Sequence, residues 1–432
     1  MKNLKILFSV LLLMLFSFNY TVSAASTPPA LNSEGVVLMD GDTGQILYSK
    51  NPDKTYFPAS TTKVLTALVV LENANLDDKV TVGQNPPGAD GTSIGIRAGE
   101  VFTVRELLAA LLLMSGNDCA QALAEHVSGS TTEFAKLMNE KAKELGCTNS
   151  NFMNPSGLPD EKHVTTPKDL ALIMRACIQN PDFVEIDRIP SLKLSPSTID
   201  GNVIEIANHN YPLFNNSSYC YPYSVASKKG YTEAAKFTNI ISAKKGDTTL
   251  VASFLKGPDI NTVFKDVADI FNYGFANFER TTLYTKDQEV TTCNVGEDSI
   301  PLVVSKDVYY TVNPSEKSSL KPTLKYNIPS DLEEKSFKKG EKIATADVIL
   351  NGQTIQTIDL LSNADREKRL EEVISPDNSD KYSKYLLGSA IALAILALLR
   401  IEYVRRRRLK RKKIKRAKYK KMHAIRKQKA GY

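Results

Sequence analysis

Pro58-Ala59-Ser60-Thr61-Thr62-Lys63 leads into an apolar-periodic stretch that continues through Leu71. Apolar residues recurring every three or four positions predict a helix, and the proline just ahead of it marks the start. Ser60 then falls in the first turn. Residues three apart share a helix face, so the Ser60 hydroxyl and the Lys63 amine come within hydrogen-bond reach. Free backbone N–H groups at a helix start also favour negative charge developing nearby. The spacing alone is weak evidence, since Ser242/Lys245, Ser253/Lys256, Ser318/Lys321 and Ser336/Lys339 share it and read as surface chemistry. Context sets Ser60 apart: Ser115-Gly116-Asn117 and Lys228-Lys229-Gly230 follow it in order.

On the N-terminal side, Gly35–Asp40 and Gln45–Tyr48 flank Gly41-Asp42-Thr43-Gly44 and predict a β-hairpin. On the C-terminal side, helical periodicity covers Val104–Leu113, Cys119–His126, Thr132–Leu145 and Pro167–Ile178. Asn239–Ala243 and Thr249–Phe254 read as strands, and Val263–Phe275 as a closing helix. Strands at both ends with helices between them predict a mixed α/β (α+β) domain over residues 26–275, with a helical subdomain inserted in its sheet. Residues 276–364 change to short alternating stretches, among them Leu302–Val304, Val308–Val312, Thr323–Tyr326, Ala346–Leu350 and Gln353–Leu360, with Asn351-Gly352 as a turn signal. They predict a small all-β domain. Residues 365–381 read as a charged linker.

The formal net charge of +7 conceals a strong asymmetry. From Arg400 to Tyr432 there are 17 Lys or Arg and one acidic residue, whereas Ser26–Leu399 holds 36 basic against 47 acidic residues. The body is acidic and the tail alone is basic. At the N-terminus, Lys2 and Lys5, an apolar run from Ile6 to Phe16, and Val22-Ser23-Ala24 predict a signal peptide over residues 1–25. A second apolar run, Leu386–Leu399, predicts a transmembrane helix over residues 382–404. Tyr385 and Tyr403 would lie near its two interfaces. Its uninterrupted apolar core is 14 residues, short enough that a helix lying in the interface competes. Apolarity on all sides favours spanning. The Arg405–Arg408 block then keeps residues 405–432 cytoplasmic and the body outside. The tail's charge attracts anionic lipid, and no nucleic acid is expected as a partner.

Cys119, Cys147, Cys177, Cys220 and Cys293 lack ligand spacing. Cys119 and Cys177 sit in apolar helical patterns and read as buried thiols, although an exported chain permits one or two disulfides. The four histidines are dispersed, so neither a metal nor another cofactor is expected.

Taken alone, Ser115-Gly116-Asn117 is an ordinary helix stop. As a partner to Ser60, Ser115 could relay a proton and Asn117 could hold Lys63 and a substrate amide. Lys63 acts as a base only when neutral, and burial or a nearby cation such as Lys228 would favour that state.

Four stretches together resemble the penicillin-binding D-alanyl-D-alanine carboxypeptidases of the low-molecular-mass type: Pro58–Lys63, Leu111–Asp118, Asn154-Pro155-Ser156-Gly157-Leu158 and Gly230-Tyr231-Thr232. The similarity extends over residues 31–360, including the turn Lys338-Lys339-Gly340-Glu341 in the β domain. It implies a serine-transpeptidase-like fold with an antiparallel sheet, and a wall-facing, membrane-anchored enzyme acting on peptidoglycan stem peptides and acylated by β-lactams. It also implies catalytic roles for Ser60, Lys63, Ser115 and Asn117. Substrate binding would fall to Lys228, Lys229, Gly230, Tyr231 and Thr232, with an oxyanion hole from the backbone N–H groups of Ser60 and Tyr231. Where the family has Lys-Thr-Gly, this chain has Lys228-Lys229-Gly230, and no arginine stands between Arg188 and Arg280. Successive strand residues point to opposite faces, so Lys229 replaces the threonine only if the backbone turns it towards the site. A catalytically impaired wall-binding homologue is therefore the competing reading, with a β-lactamase behind it.

Overall fold

The computed structural model describes residues 27–367 and 379–429. The predicted signal peptide lies outside the described residues, as does the central part of the predicted linker.

The expected hairpin forms from β1 (Gly35–Asp40) and β2 (Ile46–Lys50), paired antiparallel. The periodic run forms α1 (Lys63–Asn73), but Ser60 is outside it, in a 3₁₀ turn over Ala59–Thr62. Two short strands, β3 (Lys79–Thr81) and β4 (Val101–Thr103), pair just before α2 (Val104–Leu113). The helices α3 (Asn117–Ser128), α4 (Thr131–Glu144), α5 (Pro167–Cys177) and α6 (Pro181–Asp187) follow. Side-chain caps fix several starts: Thr103 and Glu106 form a capping box on α2, Ser130 caps α4, and Thr166 caps α5 ahead of a proline. A further short pair, β5 (Ser191–Lys193) and β6 (Glu205–Ala207), precedes three long strands, β7 (Ser224–Thr232), β8 (Lys236–Lys245) and β9 (Thr248–Gly257). The closing helix is α7 (Ile260–Asn277).

These strands build one antiparallel sheet in the order β2-β1-β9-β8-β7, so the N-terminal hairpin is completed some two hundred residues later. Alternation along each strand divides the core in two. Val37, Met39, Ala226, Ile240, Val251 and Leu255 face the helical subdomain. Val36, Leu38, Ile241, Leu250, Ala252 and Phe254 face Val263, Val267, Ile270 and Phe271 of α7. With helices on both faces, β7 remains an edge strand, and it runs beside the Ala59–Thr62 turn.

Beyond α7 every regular element up to Ser362 is a strand or a 3₁₀ turn, as expected for the all-β region. Two compact units divide the chain. One contains residues through 288 with 304–326 and 346–358; the other contains 289–303, 327–345 and the residues from 359. In the first, β10 (Glu279–Tyr284) pairs antiparallel with the Val308–Val312 strand. Thr311 exchanges hydrogen bonds with Gln45 and donates to Asp40. Asn351 and Gly352 both have positive φ, 51° and 77°, as the two-residue turn signal requires. In the second unit Arg366 is fixed by Asp298 and by the carbonyls of Leu332, Glu333 and Lys335, so order extends past the predicted linker start at residue 365. A single helix, α8 (Ser379–Lys429), carries the second apolar run, and within it Tyr382–Met422 is long and apolar enough to cross a membrane. All five cysteines are free thiols, four of them buried.

Candidate active site

Pro58 and Ala59 shape the turn that presents Ser60. Ala59 has φ +51°, a left-handed conformation that an alanine enters only under constraint, and it keeps the chain from starting an α-helix before Lys63. The Pro58 carbonyl accepts hydrogen bonds from the hydroxyls of Thr61 (2.7 Å) and Thr238 (2.9 Å), tying the turn to β8.

The Asn154–Leu158 stretch clamps the turn from another side. Asn154 Oδ1 accepts from the backbone N–H groups of Ser156, Gly157 and Leu158, folding these residues into a tight loop. A Cβ on Gly157 (φ +85°) would fall 1.8 Å from the Ala59 carbonyl oxygen, so only glycine permits this approach. Buried His163 supports the same turn: its Nδ1 accepts from the Met153 N–H, which leaves Nε2–H to donate to Thr62 Oγ1 (2.9 Å). Burial pushes the imidazole pKa down to about 4, so it is neutral at physiological pH.

Lys63 is fully buried. Its amine nitrogen lies within hydrogen-bond distance of Asn117 Oδ1 (2.6 Å), the Ser156 carbonyl (2.6 Å) and Ser60 Oγ (3.2 Å). Burial is the main cause of a pKa held well below the usual lysine value, and the Lys228 charge pushes in the same direction. The two dipolar oxygens fix the amine's direction without supplying a full counter-charge. A neutral amine so placed can accept a proton from the Ser60 hydroxyl.

Asn117 begins α3, so the second motif both ends one helix and starts the next. Ser115 takes φ +65° after the α2 end, and its buried hydroxyl has no partner among the described residues, so no hydrogen bond joins it to Ser60 or Lys63. Asn117 Nδ2 donates to the Asp90 carbonyl (2.6 Å) and its N–H to the Thr92 carbonyl (2.7 Å). Buried Asp118 gathers Ser93 Oγ and the N–H groups of Ile94, Gly95 and Ile96 on its carboxylate, fixing the loop that meets Asn117.

The third motif lies on β7. A Cβ at Gly230 would stand 2.7 Å from the Ser60 nitrogen and 2.7 Å from Thr238 Oγ1, so glycine lets this strand approach the Ser60 turn. Lys228, opposite Ile240, is buried on the helical-subdomain side, where burial lowers its pKa against the opposing pull of Asp187. Lys229 is opposite Asn239 and only half buried. Its ammonium lies 4.0 Å from the centroid of the Tyr211 ring, and Tyr211 packs against the core cluster of α7. The strand therefore turns the neighbouring lysines to different surroundings, and the Lys229 ammonium rests on an aromatic ring. Tyr231 is exposed with its hydroxyl on Glu233 (2.9 Å), and Thr232 Oγ1 accepts from the Ala235 N–H, holding the β7–β8 turn.

Residues 21–258 match the family described as D-alanyl-D-alanine carboxypeptidase. The chain belongs to that family. Residues 278–368 match the C-terminal domain of penicillin-binding protein 5. The chain is 29% identical to D-alanyl-D-alanine carboxypeptidase DacF of Bacillus subtilis over 354 residues, covering 78% of this chain and 87% of the relative. It is 36% identical to DacB2 of Mycobacterium tuberculosis over 245 residues, covering 56% and 81%. The crystal structure of penicillin-binding protein 5 from Haemophilus influenzae superposes with a TM-score of 0.65 at 26% identity, covering 79% of this chain and 99% of that one.

In this D-alanyl-D-alanine carboxypeptidase family chain, the structure brings Ser60, Lys63, Asn117 and Gly230 together directly, and Lys228 through its field on Lys63. It adds the Ser156 carbonyl, His163 and Asp118, which sequence reasoning assigned no role. Asp118 adjoins Asn117 in a resembling stretch, and Ser156 lies in another, so adjacency was the available signal. His163 had none.

Proposed function

We propose that this chain is a membrane-anchored serine D-alanyl-D-alanine carboxypeptidase that trims peptidoglycan stem peptides through an acyl-enzyme on Ser60. The observation that carries the reading is the buried Lys63 amine, its pKa lowered by burial, directed at Ser60 Oγ. Ser60 Oγ attacks the carbonyl of the penultimate D-alanine and its proton passes to Lys63. The peptide C–N bond breaks, and terminal D-alanine leaves with a proton relayed through Ser115. Water then attacks the ester, releasing the shortened peptide and restoring Ser60. The Ser60 and Tyr231 N–H groups serve the oxyanion, Asn117 orients Lys63 and a substrate amide, and Lys228 supplies a field that adds to burial in favouring neutral Lys63. The same attack opens a β-lactam. Residues 382–404 anchor the enzyme, with 405–432 on the cytoplasmic side.

A penicillin-acylated protein with slow carboxypeptidase turnover is the second reading. Lys229 over Tyr211 favours it, because an ammonium held on a ring grips a substrate carboxylate less well. Two measurements on the full chain separate these outcomes: covalent labelling by a fluorescent penicillin, and D-alanine release from a model pentapeptide. We expect labelling that disappears in Ser60→Ala, together with release. Labelling without release supports the second reading, and unlabelled wild type rejects both.

A further inference from the structure

Asp187, the last residue of α6, is a buried carboxylate that the reaction scheme does not use. One carboxylate oxygen accepts from the Ser227 N–H (2.8 Å), the residue just before Lys228 on β7. The other accepts from Asn210 Nδ2 (3.2 Å), and the Asp187 main-chain carbonyl accepts from Asn208 Nδ2 (2.7 Å). The 208–210 segment is bonded in turn to the end of α2: Asn210 Nδ2 reaches the Leu112 carbonyl (3.2 Å) and the His209 N–H reaches the Leu113 carbonyl (3.0 Å). Ser115 follows two residues later. One carboxylate thus connects the strand bearing Lys228 with the turn bearing Ser115.

We propose that Asp187 is a positioning residue of the acylation site, holding these two segments in register through a buried carboxylate bonded to the residue before Lys228. The assignment rests on the reading of Ser60 as nucleophile. Neighbouring charges are few. Lys228 on β7, Arg188 beside it in sequence, and the Cys177 thiol on α5 face Asp187; Lys63, Lys229 and His209 face Lys228. Arg188 already donates to the Ser224 carbonyl (2.7 Å). Burial pushes the Asp187 pKa up, opposed by the Ser227 N–H and by Lys228. Its negative charge in turn resists the fall that burial imposes on Lys228. Above about pH 7, where Asp187 is ionised, its charge favours the protonated form of Lys228. Removing the carboxylate lets Lys228 lose its proton earlier, and with it the field that adds to burial in lowering the Lys63 pKa.

The test is the pH profile of the fluorescent-penicillin acylation rate on the full-length, detergent-solubilised chain. In wild type the rate should fall as alkaline pH removes the Lys228 proton. In Asp187→Asn that fall should begin at lower pH, so that the rate at pH 8 relative to pH 6 drops about tenfold against wild type. Lys228→Arg should abolish the alkaline fall, and adding Asp187→Asn to it should leave the profile shape unchanged. A merely structural role predicts uniform loss, and a scaled Asp187→Asn profile superimposing on wild type overturns the proposal. Carbon-13 NMR of labelled aspartate in wild type and Lys228→Met covers the case in which Asp187→Asn does not fold. One carboxyl should titrate above the usual aspartate range and move further up in Lys228→Met; no such carboxyl overturns the pairing. If wild type is not labelled at any pH, the Ser60 reading fails, and the carboxyl titration still decides the pairing.

Discussion

The turn that presents Ser60 and the strand that carries Lys228-Lys229-Gly230 lie side by side, yet they constrain their residues differently. Around the turn, Thr61, Thr238, Asn154, Gly157 and His163 converge on a few backbone atoms, and each polar group there has a defined partner. The strand has ladder bonds to β8 on one side only. Its Gly230 is confined by the Ser60 nitrogen, while Lys229 is held by one ring contact. Strain such as the left-handed Ala59 persists where the surroundings over-determine the backbone. An edge strand offers more latitude, and there Lys229 rests over the Tyr211 ring.

Gly157→Ala presses hardest on this contrast. The added methyl must displace the Ala59 carbonyl, and alanine is strained at φ +85°. A stability loss on the order of 4 kcal/mol is expected, together with loss of penicillin labelling. A melting temperature near that of wild type would show that the turn is not over-determined.

Protonating His163 should loosen the turn less. Burial depresses its folded pKa to about 4, below the ordinary histidine value of about 6.5. The stability it contributes is therefore complete above pH 6.5 and is lost as pH falls towards 4, at most about 3 kcal/mol. Denaturant unfolding across pH 4–7 should show this slope, and His163→Gln should flatten it.

Lys229→Met tests the strand with the smallest expected effect. Loss of the contact with Tyr211 should cost about 1 kcal/mol and leave the Ser60 acylation rate within threefold. A larger fall in acylation would place the Lys229 ammonium in the reaction after all.

The long elements were legible in the sequence. The α2 helix runs over the residues its apolar period marks, and the Asn351-Gly352 turn has the required backbone. The three-residue pairs β3/β4 and β5/β6 were not legible, since three residues are too few to establish a period. Ser60 was placed one turn too deep in a helix, because nothing in Pro58-Ala59 announces the left-handed alanine.

The sequence by itself determined the chemical kinds offered at Ser60, Lys63 and Asn117, because hydroxyl, amine and amide keep their nature wherever they are placed. It also determined the long helices and strands, since periodic burial is a local property of the chain. Tertiary structure alone decided the state of the Lys63 amine and the direction of Lys229. Amine protonation depends on burial and on charges more than a hundred residues away in sequence. The direction of Lys229 depends on which face of the sheet brings a ring within reach.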